Sequence, residues 1–154
     1  MRQRRSFAIK VGAAVALLVA LVVGTSSALA GSADPRSGDL LVTKECSGFV
    51  KEPPYCAITS SSLAAIPVDS KIIYLNPAGL GTPAGGAVVL DPPGPGSNKA
   101  FGTCFLGGSP MHCEFSGGTG KFTWFHASVV VTVTDPGQRT ELWHWLGTYS
   151  FSPH

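Results

Sequence analysis

Three histidines and one glutamate in the second half of the chain are the side chains best suited to acid–base chemistry: His112, Glu114, His126 and His144. An imidazole changes charge near neutral pH, and a neighbouring carboxylate can share or direct its proton. His112 and Glu114 are two positions apart, so they share one face of a strand. His112, Glu114 and His126 form a candidate catalytic cluster. The favoured interpretation assigns these residues no catalytic role and places them at solvent-facing positions of the strands.

Other reaction types find less support in the residues. A zinc site would need a third ligand at regular spacing, and the cysteines form no Cys-x-x-Cys pair. No serine stands in a Gly-x-Ser-x-Gly elbow, which disfavours hydrolase chemistry. We therefore predict no metal and no cofactor, and we assign no catalytic residue.

Aromatic residues are concentrated in the same half of the chain, at Trp124, Trp143, Trp145 and Tyr149. Each ring buries a large apolar area, so their favoured use is in the core. The alternative is an apolar cavity for a small hydrophobic ligand, which an eight-stranded barrel can just hold. These four residues are the candidate ligand-binding set.

The first thirty residues have the three zones of a cleavable export signal. A basic start precedes the apolar run Val11–Val23, and Ala28-Leu29-Ala30 offers the small residues that a signal peptidase requires. Residues 1–30 are therefore predicted to be removed, with membrane contact only during export, and residues 31–38 to be a flexible lead-in. A permanent anchor is the alternative, and it would need about 20 apolar residues.

The export route and the net charge depend on the same segment. Arg4-Arg5-Ser6-Phe7 with Lys10 resembles the twin-arginine motif, although ordinary Sec signals are also rich in arginine. Four of the eleven basic side chains lie in residues 1–30, which leaves seven basic against nine acidic ones. We predict an extracellular or periplasmic protein without the basic stripe that nucleic acid requires.

Four cysteines, Cys46, Cys56, Cys104 and Cys113, follow the predicted signal. In an oxidising compartment an even number in a short chain indicates two disulfides, with three possible pairings. Cys46–Cys56 and Cys104–Cys113 are favoured because each pair closes a short segment that could be a hairpin.

Apolar and β-branched runs alternate with turns rich in glycine, proline and serine from residue 39 to residue 154. This spacing is typical of antiparallel sheets. It predicts one all-β domain, a small eight-stranded antiparallel barrel, with a β-sandwich as the alternative. The predicted strands are Leu40–Cys46, Tyr55–Ser61, Lys71–Leu75, Ala87–Leu90, Ala100–Phe105, His112–Phe115, Phe125–Thr134 and Thr140–Phe151.

The segment Gly117-Gly118-Thr119-Gly120-Lys121-Phe122 is a turn motif, because its glycines can take positive φ angles and reverse the chain tightly. Together with the Val/Thr strand that follows, it resembles the Gly-Gly-Thr-Gly-x-Phe turn of the allene oxide cyclase and dirigent barrels. The resemblance covers Cys113 to Phe151, about a quarter of the chain. It implies an eight-stranded barrel, and it places no catalytic residue of that family at a numbered position here.

Three functions remain open at this level. The first is a secreted barrel that binds a small apolar ligand. The second, implied by the resemblance, is a cyclase or coupling-steering enzyme that acts inside the barrel. The third is a structural or interaction protein of the cell envelope. An inward-pointing titratable side chain beside a cavity would favour an enzyme over a simple binding protein.

Overall fold

Eight antiparallel strands form the sheet that the sequence predicts. The computed structural model describes residues 36–134, 136–137 and 141–153, so the predicted export signal lies outside the described residues. The strands are β1 (Ser37–Glu45), β2 (Tyr55–Ser61), β3 (Lys71–Tyr74), β4 (Gly86–Asp91), β5 (Ala100–Phe105), β6 (Met111–Gly118), β7 (Phe125–Thr134) and β8 (Leu142–Phe151). Three single-turn 3-10 helices connect them, at Ser47–Val50, Pro77–Gly79 and Gly120–Phe122.

The sheet closes on itself, since each strand pairs with the next and β8 pairs back onto β1. The fold is therefore a barrel and not the alternative sandwich. The closing ladder runs from the Ser37–Ser150 pair to the Glu45–Leu142 pair. The predicted flexible lead-in, residues 31–38, extended too far. Ser37 and Gly38 belong to β1 because β8 provides backbone hydrogen-bond partners for them. Closure leaves no open sheet edge to pair with other chains.

Apolar and polar residues alternate along β7, and the structure buries the apolar set on one face. Ala127, Val129 and Val131 are buried in the barrel, while the residues between them face outward. The same period places Trp145 and Tyr149 of β8 inside. A strand period of two thus decides which side chains fill the interior.

One end of the barrel, called here the aromatic end, is filled by Phe115, Phe122, Phe125, Tyr149 and Phe151. Their neighbouring ring centroids lie 5.1 to 6.3 Å apart. Such distances are those of rings in direct packing contact. This end is therefore occupied by the protein's own side chains.

The predicted turn motif holds the aromatic end closed. Gly120 has φ +57°, and a Cβ atom at Gly118 would collide with the Lys99 carbonyl oxygen. The Thr119 N–H donates to that oxygen over 2.7 Å. The backbone can approach so closely only without a side chain, and the turn thereby places Phe122, which is fully buried, in the aromatic cluster.

Both disulfides lie at the opposite end, called here the disulfide end. Cys46–Cys56 links the ends of β1 and β2, and Cys104–Cys113 links paired residues of β5 and β6. These are the favoured pairings of the sequence analysis. Bridges of this kind form in oxidising compartments.

Replacing Cys104 and Cys113 together by alanine should lower the free energy of unfolding by about 2–3 kcal/mol, because a loop constraint on the unfolded chain is lost. Urea unfolding at neutral pH measures this. The wild-type protein under reducing conditions is the control, and it should lose more because both bridges open. An unchanged midpoint in the double variant would show that this bridge adds no stability.

Candidate binding site at the disulfide end

A pocket of about 270 Å³ opens at the disulfide end. Its walls are mostly apolar: the Cys46–Cys56 bridge, Phe49, Leu106 and Trp143, with the Tyr74 ring and the Glu141 side chain completing the lining. A cavity of 150 Å³ is large enough for benzene in a protein interior. The pocket therefore has room for one molecule of single-ring size.

Three elements hold the pocket walls in place. Tyr74 ends β3 on the inner face, two positions after the buried Ile72, and Trp143 stands on the inner face of β8. Phe49 comes from the first 3-10 helix, and its ring packs edge-on over Tyr74 at 5.2 Å between centroids. The disulfide anchors this helix to the barrel, since Phe49 N–H donates to the Cys46 carbonyl.

Lys44 lies behind the pocket, completely buried in the barrel wall between β2 and β8. Its Nζ donates a 2.6 Å hydrogen bond to the Tyr74 hydroxyl. Three ring centroids surround the same nitrogen, those of Trp145 at 4.9 Å, Tyr74 at 5.3 Å and Trp143 at 5.9 Å. The Tyr74 hydroxyl in turn contacts the Cys56 sulfur at 3.5 Å, and because this sulfur is disulfide-bonded it can only accept.

Burial controls the charge of these two groups. Desolvation lowers the pKa of Lys44 from 10.5 to about 7, and it raises the pKa of Tyr74 well above its ordinary value. A ring face attracts an ammonium by roughly 0.5–2 kcal/mol, whereas removing that charge from water costs several kcal/mol. Desolvation is the larger effect, so a substantial part of Lys44 is a neutral amine at pH 7.

Two further donors in this region have no acceptor. The indole N–H groups of Trp143 and Trp145 are buried and make no hydrogen bond. With the Lys44 amine and the Tyr74 hydroxyl, they give the region four hydrogen-bond donors. A buried donor without a partner costs about 1–3 kcal/mol. A bound molecule that brings an acceptor atom would recover part of that cost.

The candidate acid–base residues lie elsewhere, on the outer wall of the barrel. Glu114 and His126 line an open outer groove of about 450 Å³. His112 does not line that groove; its ring stacks on Phe105 at 4.7 Å between centroids. His144, also on the outer face, is bonded through Nε2 to Thr134 at 2.9 Å. The structure thus brings Glu114 and His126 to one groove and leaves His112 outside it.

The four candidate aromatic residues are separated by the fold. Trp143 lines the pocket, and Trp145 lies beside Lys44 with 1% of its surface exposed. Tyr149 belongs to the aromatic end, where it packs on Phe151 at 5.9 Å. Trp124 is 54% exposed, outside the barrel. One of the four candidates, Trp143, therefore lines the pocket, and Trp145 lies next to the Lys44 amine behind it.

Lys44 and Tyr74 were not predicted from the sequence as site residues. A signal was present in β1, where Leu40, Val42 and Lys44 follow each other at alternate positions and therefore point to one side. The same spacing joins Tyr74 to Ile72 in β3. A lysine that alternates with two apolar residues along one strand lies on their face, and it is buried if that face points into the barrel.

The part of the chain that the structure describes contains no group of three or more His, Cys, Asp or Glu side chains placed to hold a metal ion. It also contains no helix long and apolar enough to cross a membrane.

Comparison with known proteins adds no relative. No protein family, curated protein or solved structure matches this chain.

Proposed function

We propose that this protein is a secreted binding barrel that holds one small, mostly apolar molecule at its disulfide end. The observation that carries the proposal is the pocket of about 270 Å³ whose floor, Tyr74 and Trp143, backs onto a buried amine and unpartnered indole N–H groups. Apolar walls with a few convergent polar groups are the usual composition of a small-molecule site.

The two ends of the barrel support the proposal by their difference. The aromatic end is filled with phenylalanine rings, whereas the disulfide end retains space next to polar groups. Burying the charge of Lys44 costs stability, and a barrel that acted only as a rigid scaffold would be more stable with an apolar side chain at this position. A ligand of single-ring size with one acceptor atom fits both the volume and the donors.

The disulfides agree with an extracellular or periplasmic location. Membership of the allene oxide cyclase and dirigent family stays a prediction from the turn motif. The alternatives of a cyclase acting inside the barrel and of an envelope protein stay predictions as well, and the buried Lys44 beside the pocket is the feature that favours the first of these alternatives.

A pair of probes of similar size tests the proposed site. Anisole has an ether oxygen where ethylbenzene has a methylene group, so the mature protein should bind anisole about five- to tenfold more tightly, the gain of one hydrogen bond. Ligand-observed NMR titration measures both affinities. Leu106→Trp, which fills the pocket, should weaken both probes at least tenfold.

Leu146→Trp is the matched control, because Leu146 is exposed on the outer wall and adds the same ring away from the pocket. It should leave both affinities unchanged. Failure of both probes to bind, or equal weakening by the two tryptophan variants, would contradict the proposed site.

A further inference from the structure

We propose that Lys44 captures a small aldehyde or ketone as a covalent imine at the floor of this pocket. The inference rests on the proposed binding function and names the chemical class of the ligand. It stands on three features of the structure: a fully buried amine, a hydroxyl 2.6 Å from its nitrogen, and a pocket directly beyond the two rings that cover it.

The surroundings of Lys44 keep its nitrogen available as a nucleophile. Among the described residues, the only ion pair joins Lys99 to Asp91, far along the chain from this site. Within the described part of the chain, the titratable group bonded to Lys44 is Tyr74, and the nearby Cys56 does not titrate because it is disulfide-bonded. Glu141 lines the pocket, but its carboxylate accepts from the Gly137 N–H. Without a carboxylate partner, burial favours the neutral amine with its free lone pair.

The Lys44 residue lies close to the pocket along the chain. Cys46, which lines the pocket, comes two residues after Lys44 and directly follows the end of β1. Lys44 is therefore one layer below the pocket floor, and its side chain has several rotatable bonds. Imine formation in the pocket requires rotation about these bonds to carry Nζ past the Tyr74 hydroxyl to the floor.

The reaction is a condensation that needs no oxidant or reductant. The nitrogen lone pair attacks the carbonyl carbon, a C–N bond forms, and the π electrons move to the oxygen. The C–O bond then breaks, the nitrogen lone pair forms the C=N bond, and the oxygen leaves as water with the two protons lost by nitrogen. The Tyr74 hydroxyl lies where it can pass these protons and is regenerated. The indole N–H groups of Trp143 and Trp145 are free to donate to the oxygen as its charge develops.

Reductive trapping with benzaldehyde tests this reaction. The mature protein is incubated at pH 7 with benzaldehyde and sodium cyanoborohydride, which fixes an imine as a benzylamine, and the labelled positions are found by peptide mapping. A lysine with a pKa of about 7 has a free-amine fraction about a thousandfold above that of an ordinary lysine. Lys44 should therefore be benzylated long before Lys51, Lys71 and Lys121, which are exposed.

Three controls make the labelling specific. The chain's α-amino group also has a low pKa, about 7.7–8.0, so site mapping and not the total mass decides the outcome. Lys44→Met should remove the labelled peptide, while Lys71→Met should leave it in place. An excess of anisole should slow labelling of Lys44 at least fivefold without affecting the α-amino group, and this competition needs no variant that must fold.

The outcomes separate the two proposals. Labelling of the α-amino group and the surface lysines with none at Lys44 would overturn imine capture, and anisole binding in the same preparation would leave the binding function standing. Labelling of Lys44 that persists with Leu106→Trp or under excess anisole would also overturn it, because the pocket would then play no part. Absence of both labelling and anisole binding would overturn both.

Discussion

The free energy of unfolding should rise by about 3–4 kcal/mol between pH 7 and pH 10, and it should fall again above pH 10. The rise comes from Lys44. Its pKa is about 7 in the folded barrel and 10.5 as an ordinary lysine, so between these values the unfolded chain binds more protons than the native one. Stability increases with pH wherever the unfolded state is the more protonated one. The cost of the buried amine is thus largest below pH 7 and disappears towards pH 10.5.

The fall above pH 10 comes from Tyr74. Burial raises the pKa of its hydroxyl above the ordinary 10.0, so the unfolded chain loses this proton first and gains stability relative to the native one. Urea unfolding at half-unit pH steps measures both limbs. Lys44→Met is the control: it should be more stable than the wild type at pH 7 and should lack the rise, while keeping the fall above pH 10. Equal slopes in the two proteins between pH 7 and pH 10 would contradict the burial of an uncompensated amine.

Trp145→Ala should lower the free energy of unfolding by about 3–5 kcal/mol. Trp145 is 1% exposed and stands between the two ends of the barrel, with its ring centroid 5.4 Å from that of Phe115 and 4.9 Å from the Lys44 nitrogen. The flanking strands β1 and β7 are held in register with β8, so the surrounding backbone cannot move in to fill the space of an indole. The loss of contacts therefore remains as a cavity.

Trp145→Phe is the matched variant. It keeps most of the ring contacts and removes a buried N–H that has no acceptor, and these two effects oppose each other, so a loss below about 1.5 kcal/mol is expected. Urea unfolding at pH 7 measures both variants. A phenylalanine variant as unstable as the alanine variant would show that the N–H is bonded and that ring packing does not dominate.

The strands and the disulfides could be predicted because their causes are local. The alternation of apolar and polar residues in Ala127–Thr134 depends only on neighbouring residues, and this segment forms β7, which pairs with β8. Cys104 and Cys113 stand opposite each other because a short hairpin connects them. The glycine turn likewise predicted a tight reversal, and Gly117 and Gly120 do have positive φ angles. Each of these features depends on fewer than about fifteen consecutive residues.

The contents of the barrel depend on contacts between distant parts of the chain. Lys44 in β1, Tyr74 in β3 and Trp143 in β8 meet only when the first and last strands pair. The alternation along β1 shows that Lys44 lies on the same face of the strand as Val42. It does not show that this face is buried, because the inside of the sheet is defined only when the barrel closes. The same decision placed Glu114 and His126 on the outer wall. The sequence by itself therefore determined eight strands, their turns and two bridges, whereas only the tertiary structure decided which polar groups lost their water, because desolvation is a property of the closed interior.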